Sequence, residues 1–129
     1  MAAFASSLQN DLPTSSTVTE RVRVYLDAQP TYFFGSTVTL LDANGLATTS
    51  PYSYRVNGGV LTKELVVPSY NIDTQVWLRK AIDLKKPYWT EPYFDAGGGD
   101  IWMQTYSVPV IINNKVVAVA TTDLAVNKP

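Results

Sequence analysis

Two β-rich runs joined by an Asn-Gly dipeptide constrain the fold more than any other feature of this sequence. The first run is Phe33–Leu41 (FFGSTVTLL), in which β-branched and aromatic residues dominate. It leads into Asp42–Gly45, and an Asn-Gly pair between such runs is the strongest short-range signal of a β-hairpin. The returning strand, Leu46–Val56, contains Pro51, which has no backbone N–H to donate. We therefore expect that strand to lie at a sheet edge or to be interrupted at the proline.

Helical periodicity and further strand-like runs account for most of the remaining chain. The expected elements are a helix at about Thr17–Gln29, an extended piece at Val60–Val67, a helix from a candidate N-cap at Asp73 to about Leu84, and strands at about Ile101–Ile112 and Lys115–Val126. Asn113–Asn114 lies between the last two runs and predicts a tight turn. This order predicts an α+β fold, with helices beside an antiparallel sheet.

The chain of 129 residues is expected to form one module, residues 1–129, because no linker, repeat or low-complexity segment divides it. Its first residues are small and polar and include Pro13. We expect residues 1–16 to be loosely ordered.

Composition excludes several classes of function. Histidine and cysteine are both absent, which removes ordinary zinc sites, Ser–His–Asp triads and thiol chemistry, and we expect no metal and no cofactor. The formal net charge is −1 with no basic stripe, so no nucleic-acid partner is expected. An enzyme would have to work with carboxylates such as Glu91, Asp95 and Asp123, and a carboxylate-dependent hydrolase is the least favoured of the functions considered.

The stretch Pro87–Val110 concentrates six aromatic residues, three acidic residues and the glycines 97–99. Aromatic residues this dense form either a core or the wall of a small-molecule pocket. The glycines indicate a loop that bends sharply or approaches another group closely. Asp95 and Asp100 flank them and are weak candidates for calcium ligands, and a glycine-rich turn with solvated acids is the favoured alternative.

A pocket for a cationic amine is one interpretation of the aromatic and acidic residues together. The candidate wall residues are Trp77, Tyr93, Trp102 and Tyr106. Asp95 and Asp123 would supply negative charge, and aromatic rings with carboxylates attract ammonium groups. A plain aromatic core is the competing interpretation. Asp123 lies in the apolar run VVAVATTDLAV, so it needs a ligand, a buried donor or an outward-facing position.

Arg55 and Arg79 are the candidate anion-binding residues. Arg79 is expected to face solvent, because it lies two positions from Trp77 on the same helix. Arg55 lies between aromatic residues in PYSYRV. It would either contact a ligand or stack on a neighbouring tyrosine.

Several blocks of this sequence carry a family resemblance. They are FFGSTVTLLDANG, PYSYR, YNIDTQVW, YWTEPYFDAGGGDIWMQTYSVPV and VVAVATTDLAV, spread over Tyr32–Val126. The chain resembles the Cache domains, the extracytoplasmic PAS-like sensor modules of bacterial and archaeal chemoreceptors and histidine kinases. The resemblance implies a central antiparallel sheet of about five strands, an N-terminal helix, a mid-chain helix, and a ligand pocket between the sheet and the connecting segments.

The resemblance also implies ligand-binding positions. In the amino-acid-binding members, one set of residues surrounds the ligand carboxylate and another surrounds its amino group. Tyr70 and Trp77 match the first set, but its arginine position is Gln75, and Leu78 replaces a tyrosine. The amino-group set is matched by Tyr93, Asp95 and Asp123. The full set of expected ligand-binding residues is Tyr70, Gln75, Trp77, Tyr93, Asp95, Tyr106, Asp123 and Arg55.

We therefore expect an extracytoplasmic sensor domain of a membrane-bound receptor, binding a small polar metabolite such as an amine and not acting as an enzyme. Flanking segments outside this chain would anchor it to the membrane, and a homodimer is one expected assembly. A ligandless PAS-like module for dimerisation or protein interaction is the alternative.

Overall fold

Eight antiparallel strands form one sheet in the computed structural model, which describes residues 1–129. The strands are β1 (Phe33–Leu41), β2 (Ala47–Thr49), β3 (Pro51–Val56), β4 (Gly59–Glu64), β5 (Tyr88–Trp89), β6 (Tyr93–Phe94), β7 (Trp102–Ile112) and β8 (Lys115–Ala125). The helices are α1 (Ala2–Asn10), α2 (Val18–Asp27) and α3 (Val76–Leu84), and a short 3₁₀ turn spans Ile72–Thr74. None of these helices is long and apolar enough to cross a bilayer.

The strand order is β4-β3-β1-β8-β7-β5, with β2 paired to β1 and β6 paired to β7. The predicted α+β class and antiparallel sheet are confirmed. The expectation of about five strands matches the five long ones, but the sheet also contains β2, β5 and β6, each of two or three residues. Segments this short carry no readable periodicity, and they form because longer strands offer free backbone groups beside them.

Both predicted hairpins are present. The Asp42 carboxylate accepts the backbone N–H groups of Asn44 and Leu46, which closes the turn after β1. Asn113 and Asn114 both adopt positive φ, at 53° and 63°, as a two-residue hairpin between right-twisted strands requires. Pro51 begins β3 after a break at Ser50, and β3 lies between β1 and β4. The prediction of an interrupted strand is therefore confirmed, and β4 forms the edge of the sheet on this side.

The sheet is covered on both faces. Ala118 and Ala120 of β8 pack with residues of α1 and α2, whereas Val119 packs with residues of α3. Successive strand residues point to opposite faces, so the helices at the N-terminus and the helix in mid-chain lie on opposite sides. Leu8 of α1 is fully buried in the first of these clusters. Residues 2–10 thus differ from the loosely ordered segment expected for 1–16, because their small side chains let α1 pack closely against β7.

The mid-chain helix begins at Val76 and not at the expected N-cap Asp73. Asp73 instead accepts the backbone N–H of Ala47 at 2.9 Å, and its Oδ1 lies 3.6 Å from the Arg79 guanidinium. The 3₁₀ turn that contains Asp73 is thereby tied to β2, and the helix can start only after it.

Arg55 has a structural role at the end of α2. Its Nε donates to the carbonyl oxygen of Phe33 at 2.7 Å, and its Nη2 donates to those of Leu26 and Gln29 at 2.8 and 3.0 Å. The last carbonyls of a helix lack partners within the helix and carry partial negative charge. One guanidinium therefore joins β3 to the helix terminus and to the start of β1.

Arg55→Lys is expected to lower the free energy of unfolding by about 2 kcal/mol, because one ammonium cannot reach the same three carbonyls and hydrogen bonds from charged donors are worth roughly this much. Urea unfolding followed by circular dichroism measures the change. Arg23→Lys is the matched control, since Arg23 pairs only with Glu20 of its own helix. Equal unfolding midpoints for the two variants would contradict the capping role.

Candidate functional site

Two carboxylates are buried on the α3 side of the sheet. Asp95, directly after β6, is 4% exposed, and Asp123, on β8, is 3% exposed. Asp123 stands opposite Gly35 of β1 on one side and Thr105 of β7 on the other. It therefore lies in the middle of the sheet, where water is excluded from both neighbouring strands.

Hydroxyl groups satisfy the Asp123 carboxylate. The Tyr52 hydroxyl donates to Oδ2 at 2.7 Å, and the Thr105 hydroxyl donates to Oδ1 at 2.7 Å. The Tyr93 hydroxyl lies 2.6 Å from Thr105 Oγ1. Because the single proton of Thr105 is directed to Asp123, Tyr93 donates to Thr105. A relay of donors thus runs from Tyr93 to the carboxylate.

Asp95 is held in a similar way. The Tyr70 hydroxyl donates to Oδ1 at 2.6 Å, and the backbone N–H of Gly99 donates to Oδ2 at 3.0 Å. Trp77 Nε1 in turn donates to the Tyr70 hydroxyl at 3.0 Å. A second relay therefore leads from α3 to this carboxylate.

The glycine run between Asp95 and Asp100 makes room for the buried carboxylate. A Cβ atom at Gly98 would collide with the carboxylate group of Asp95. Asp100 closes the loop from the other end, since its Oδ1 accepts the N–H of Gly97 at 2.7 Å. The glycines thus let the backbone of this loop pass close to the Asp95 carboxylate. The glycine run in the sequence predicted a close approach of this kind.

The two carboxylates line one small cavity of about 10 Å³. Its lining residues are Thr37, Tyr52, Leu65, Tyr70, Trp77, Tyr93, Asp95, Thr105, Thr121 and Asp123. A volume of this size holds about one water molecule. The lining contains two acids and no cationic side chain.

A larger outer pocket of about 240 Å³ adjoins this cavity at the N-terminal end of α3. Its lining residues are Gln75, Val76, Trp77, Tyr88, Thr90, Glu91, Pro92 and Tyr93. Trp77 and Tyr93 line both spaces, so these two rings form the wall between them. Glu91 is the one charged residue of the outer pocket.

Burial dominates the electrostatics of the site. It raises the pKa of Asp123 to about 7, against the opposing effect of the hydrogen bonds from Tyr52 and Thr105. Burial also raises the pKa of Asp95, opposed by its bonds from Tyr70 and Gly99. The pKa values of three tyrosine hydroxyls are raised as well, mainly by burial and then by the nearby acids. These are the hydroxyls of Tyr52, Tyr70 and Tyr93, which therefore stay protonated and act as donors.

The structure brings together most of the residues singled out in the sequence. Tyr70, Trp77, Tyr93, Asp95 and Asp123 all line the inner cavity. Gln75 lines the outer pocket, and its side-chain amide donates to the backbone carbonyl of Tyr70 at 2.9 Å.

Three of the singled-out residues lie elsewhere. Arg55 is bound to the carbonyls at the end of α2. Tyr106 packs on Trp89, with ring centroids 4.8 Å apart, on the sheet face opposite to that of its neighbour Thr105. Trp102 packs edge-on against Phe94. Strand alternation explains why Tyr106 lies outside the site, because adjacent residues of β7 point to opposite faces and Thr105 already points to the site.

Sequence reasoning missed Tyr52 and Thr105 as site residues. Both contact Asp123 only because of strand register, which pairs Thr105 with Asp123 and Thr37 with Tyr52. The Thr105–Asp123 pairing follows from counting outward from the turn at Asn113–Asn114, with one bulge to allow for. The Tyr52 contact crosses β1 and leaves no local signal.

A model of the family described as methyl-accepting chemotaxis protein-like, first PDC sensor domain, matches residues 18–128. Among solved structures, the extracellular domain of soHK1S-Z6, assigned as a histidine kinase, matches with 26% identity and a TM-score of 0.78, covering 96% of this chain and 50% of that one. No curated protein sequence matches.

Two more distant structures share the fold. The ligand-binding domain of the Campylobacter jejuni chemoreceptor Tlp3, solved with L-valine, has 18% identity and a TM-score of 0.65, covering 95% of this chain and 50% of that one. A methyl-accepting chemotaxis protein X has 18% identity and a TM-score of 0.72, with 96% and 54% covered. The present chain spans about half the length of these structures.

Asp123→Asn is expected to flatten the pH dependence of stability. The carboxyl pKa rises from 3.8 to about 7 on folding, so its contribution is fully present below pH 3.8 and is lost as pH rises through 7. The difference amounts to roughly 4 kcal/mol at the conversion of about 1.4 kcal/mol per pKa unit. Urea unfolding between pH 4.5 and 8 measures it, with exposed Asp83→Asn as the control. Parallel profiles for wild type and Asp123→Asn would contradict the assignment.

Proposed function

Because this chain belongs to the family of methyl-accepting chemotaxis protein-like first PDC sensor domains, we propose that it binds a small amine through Asp95 and Asp123. It is an extracytoplasmic sensor domain of the chemoreceptor and histidine kinase type. We propose further that residues 1–129 act as one sensing unit.

The observation that carries the proposal is a pair of buried carboxylates that accept no hydrogen bond from a cationic side chain. Asp95 and Asp123 line one cavity, and every donor that reaches them is a neutral hydroxyl or a backbone N–H. Burying an ionised carboxylate is costly unless it is paired. An ammonium group would supply the missing positive charge, and the rings of Tyr93 and Trp77 offer π faces to it.

The rest of the ligand would lie toward the outer pocket. Trp77 and Tyr93 separate the two spaces, so a modest movement of these rings would join them. Gln75 faces the outer pocket with a neutral amide, where a ligand carboxylate would be matched by a charged bidentate group. This favours an amine over an α-amino acid, although the Tlp3 structure contains L-valine.

Binding would act by shifting a conformational equilibrium. A ligand that replaces the hydroxyl donors at Asp95 and Asp123 changes the contacts of the loop 95–100, of α3 and of β3 together. Differential affinity for two such arrangements is what a signal requires. In the full receptor, we expect membrane anchoring by segments outside this chain and assembly as a homodimer.

Sensing is favoured over catalysis at the same carboxylates. Both accept hydrogen bonds from tyrosine hydroxyls, and the cavity between them holds about one water molecule. Hydrolysis would need room for a substrate bond between the acid and the base. We infer a receptor module and not an enzyme.

A ligandless interaction module is the second candidate. The observation in its favour is the inner cavity volume of about 10 Å³, because a permanently closed site would serve only to hold the fold. In that case, the buried acids would be fully satisfied by their hydroxyl partners, and signals would pass through surfaces instead.

Isothermal titration calorimetry with n-propylamine at pH 8 tests the proposal, with propan-1-ol and propionate as neutral and anionic probes. We expect only the amine to bind wild type, with affinity falling as pH drops below 7 because Asp123 becomes protonated. At one hundred times its Kd the amine should stabilise the fold by about 2.7 kcal/mol.

The matched variants are Asp123→Asn, which should abolish amine binding, and exposed Asp83→Asn, which should not change it. Binding of propionate in place of propylamine would refute the amine assignment. If none of the three probes bound, the result would favour the interaction module.

A further inference from the structure

Tyr52 occupies the part of the inner cavity that a ligand needs to reach Asp123. Its side chain is 1% exposed, and its hydroxyl donates to Asp123 Oδ2 at 2.7 Å. Thr105 already donates to Oδ1. An ammonium group approaching this carboxylate from the cavity therefore meets the phenol hydroxyl at one of the two oxygens.

The backbone is shaped to seat this phenol. Tyr52 pairs with Thr37 in the sheet, and its ring extends over the neighbouring part of β1. A Cβ atom at Gly35 would collide with the hydroxyl and the ring, and no other residue supplies its nearest atoms. Gly35 does not adopt positive φ, so turn geometry does not require a glycine there. The requirement for glycine at this position comes from the Tyr52 ring itself.

A second aromatic ring covers the other face of the Tyr52 ring. Tyr54 stacks on Tyr52 with centroids 5.5 Å apart and ring planes 15° apart. Gly35 on one side and the Tyr54 ring on the other hold the phenol in a preformed slot. The hydroxyl is thus directed at Asp123 by packing as well as by its hydrogen bond.

We propose that Tyr52 is the specificity-determining residue of the amine site, acting as an internal competitor whose hydroxyl must leave Asp123 before a ligand binds. This inference rests on the proposed function. A neutral alcohol would exchange one hydroxyl donor for another and gain nothing. An ammonium group instead brings a full positive charge to the ionised carboxylate, and the attraction between two opposite charges is strengthened by the low dielectric of the buried cavity. The slot therefore rejects neutral polar ligands and admits cations.

Tyr52→Phe removes the competing hydroxyl and keeps the ring. We expect n-propylamine to bind this variant about tenfold more tightly than wild type, by calorimetry at pH 8. Propan-1-ol, which should not bind wild type, should give measurable heat on the variant, because Asp123 Oδ2 then lacks a donor while Thr105 still donates to Oδ1. Tyr32→Phe is the control: it makes the same chemical change on a tyrosine that is 69% exposed and lines neither the inner cavity nor the outer pocket, so it should leave both affinities unchanged.

Gly35→Ala tests the slot independently, because the new methyl group displaces the phenol while its hydroxyl is retained. We expect tighter amine binding here too, with a lower melting temperature. Gly59→Ala is the control, since a Cβ there would meet only the Val56 carbonyl at an ordinary 3.6 Å.

The outcomes separate the two proposals. If propylamine binds wild type through Asp123 but with equal or lower affinity on Tyr52→Phe, Tyr52 is part of the binding surface and the competitor role is wrong. If propylamine binds neither wild type nor Tyr52→Phe, the amine site itself is wrong.

Discussion

The burial of two carboxylates that no cationic side chain contacts is the constraint on which the rest of this structure depends. Asp95 and Asp123 are nearly inaccessible, and their pKa values are raised by that burial. The fold satisfies them with tyrosine and threonine hydroxyls and one loop N–H, each of which comes from a different element. The two carboxylates are therefore bonded to β3, β7, the segment before α3 and the glycine loop, so four separate parts of the chain meet at one cavity.

The two faces of the sheet differ in their chemical character. Helices α1 and α2 cover one face and pack on an apolar cluster there. The other face combines the apolar residues under α3 with the polar cavity. Strand β3 links the two faces, because Tyr52 points into the cavity while Arg55 is bound to the carbonyls that end α2. A change at the cavity thus has a short covalent route, along β3, to the helix on the far side.

Local patterns predicted the long elements but not the short ones. The run Phe33–Leu41 is a strand over the expected residues, and the final hairpin turns at Asn113–Asn114 as expected. Strands β5 and β6 were missed because two residues have no period, and the start of α3 shifted because Asp73 bonds to β2 instead of capping the helix. Tyr106 was assigned to the site and lies on the opposite face, because an aromatic side chain looks the same in sequence whichever face it occupies.

The sequence by itself determined the α+β class, the sensor family and the acidic character of the site, since each depends on residue types in contiguous motifs. Tyr93 and Asp95 lie in one such motif, and Asp123 is conspicuous as an acid in an apolar strand. Only the tertiary structure decided which groups meet that acid, because Tyr52, Gly35 and Thr105 reach it through the register of neighbouring strands. Register is set by all the turns, bulges and packing of the sheet together, so no single segment encodes the contact between Tyr52 and Asp123.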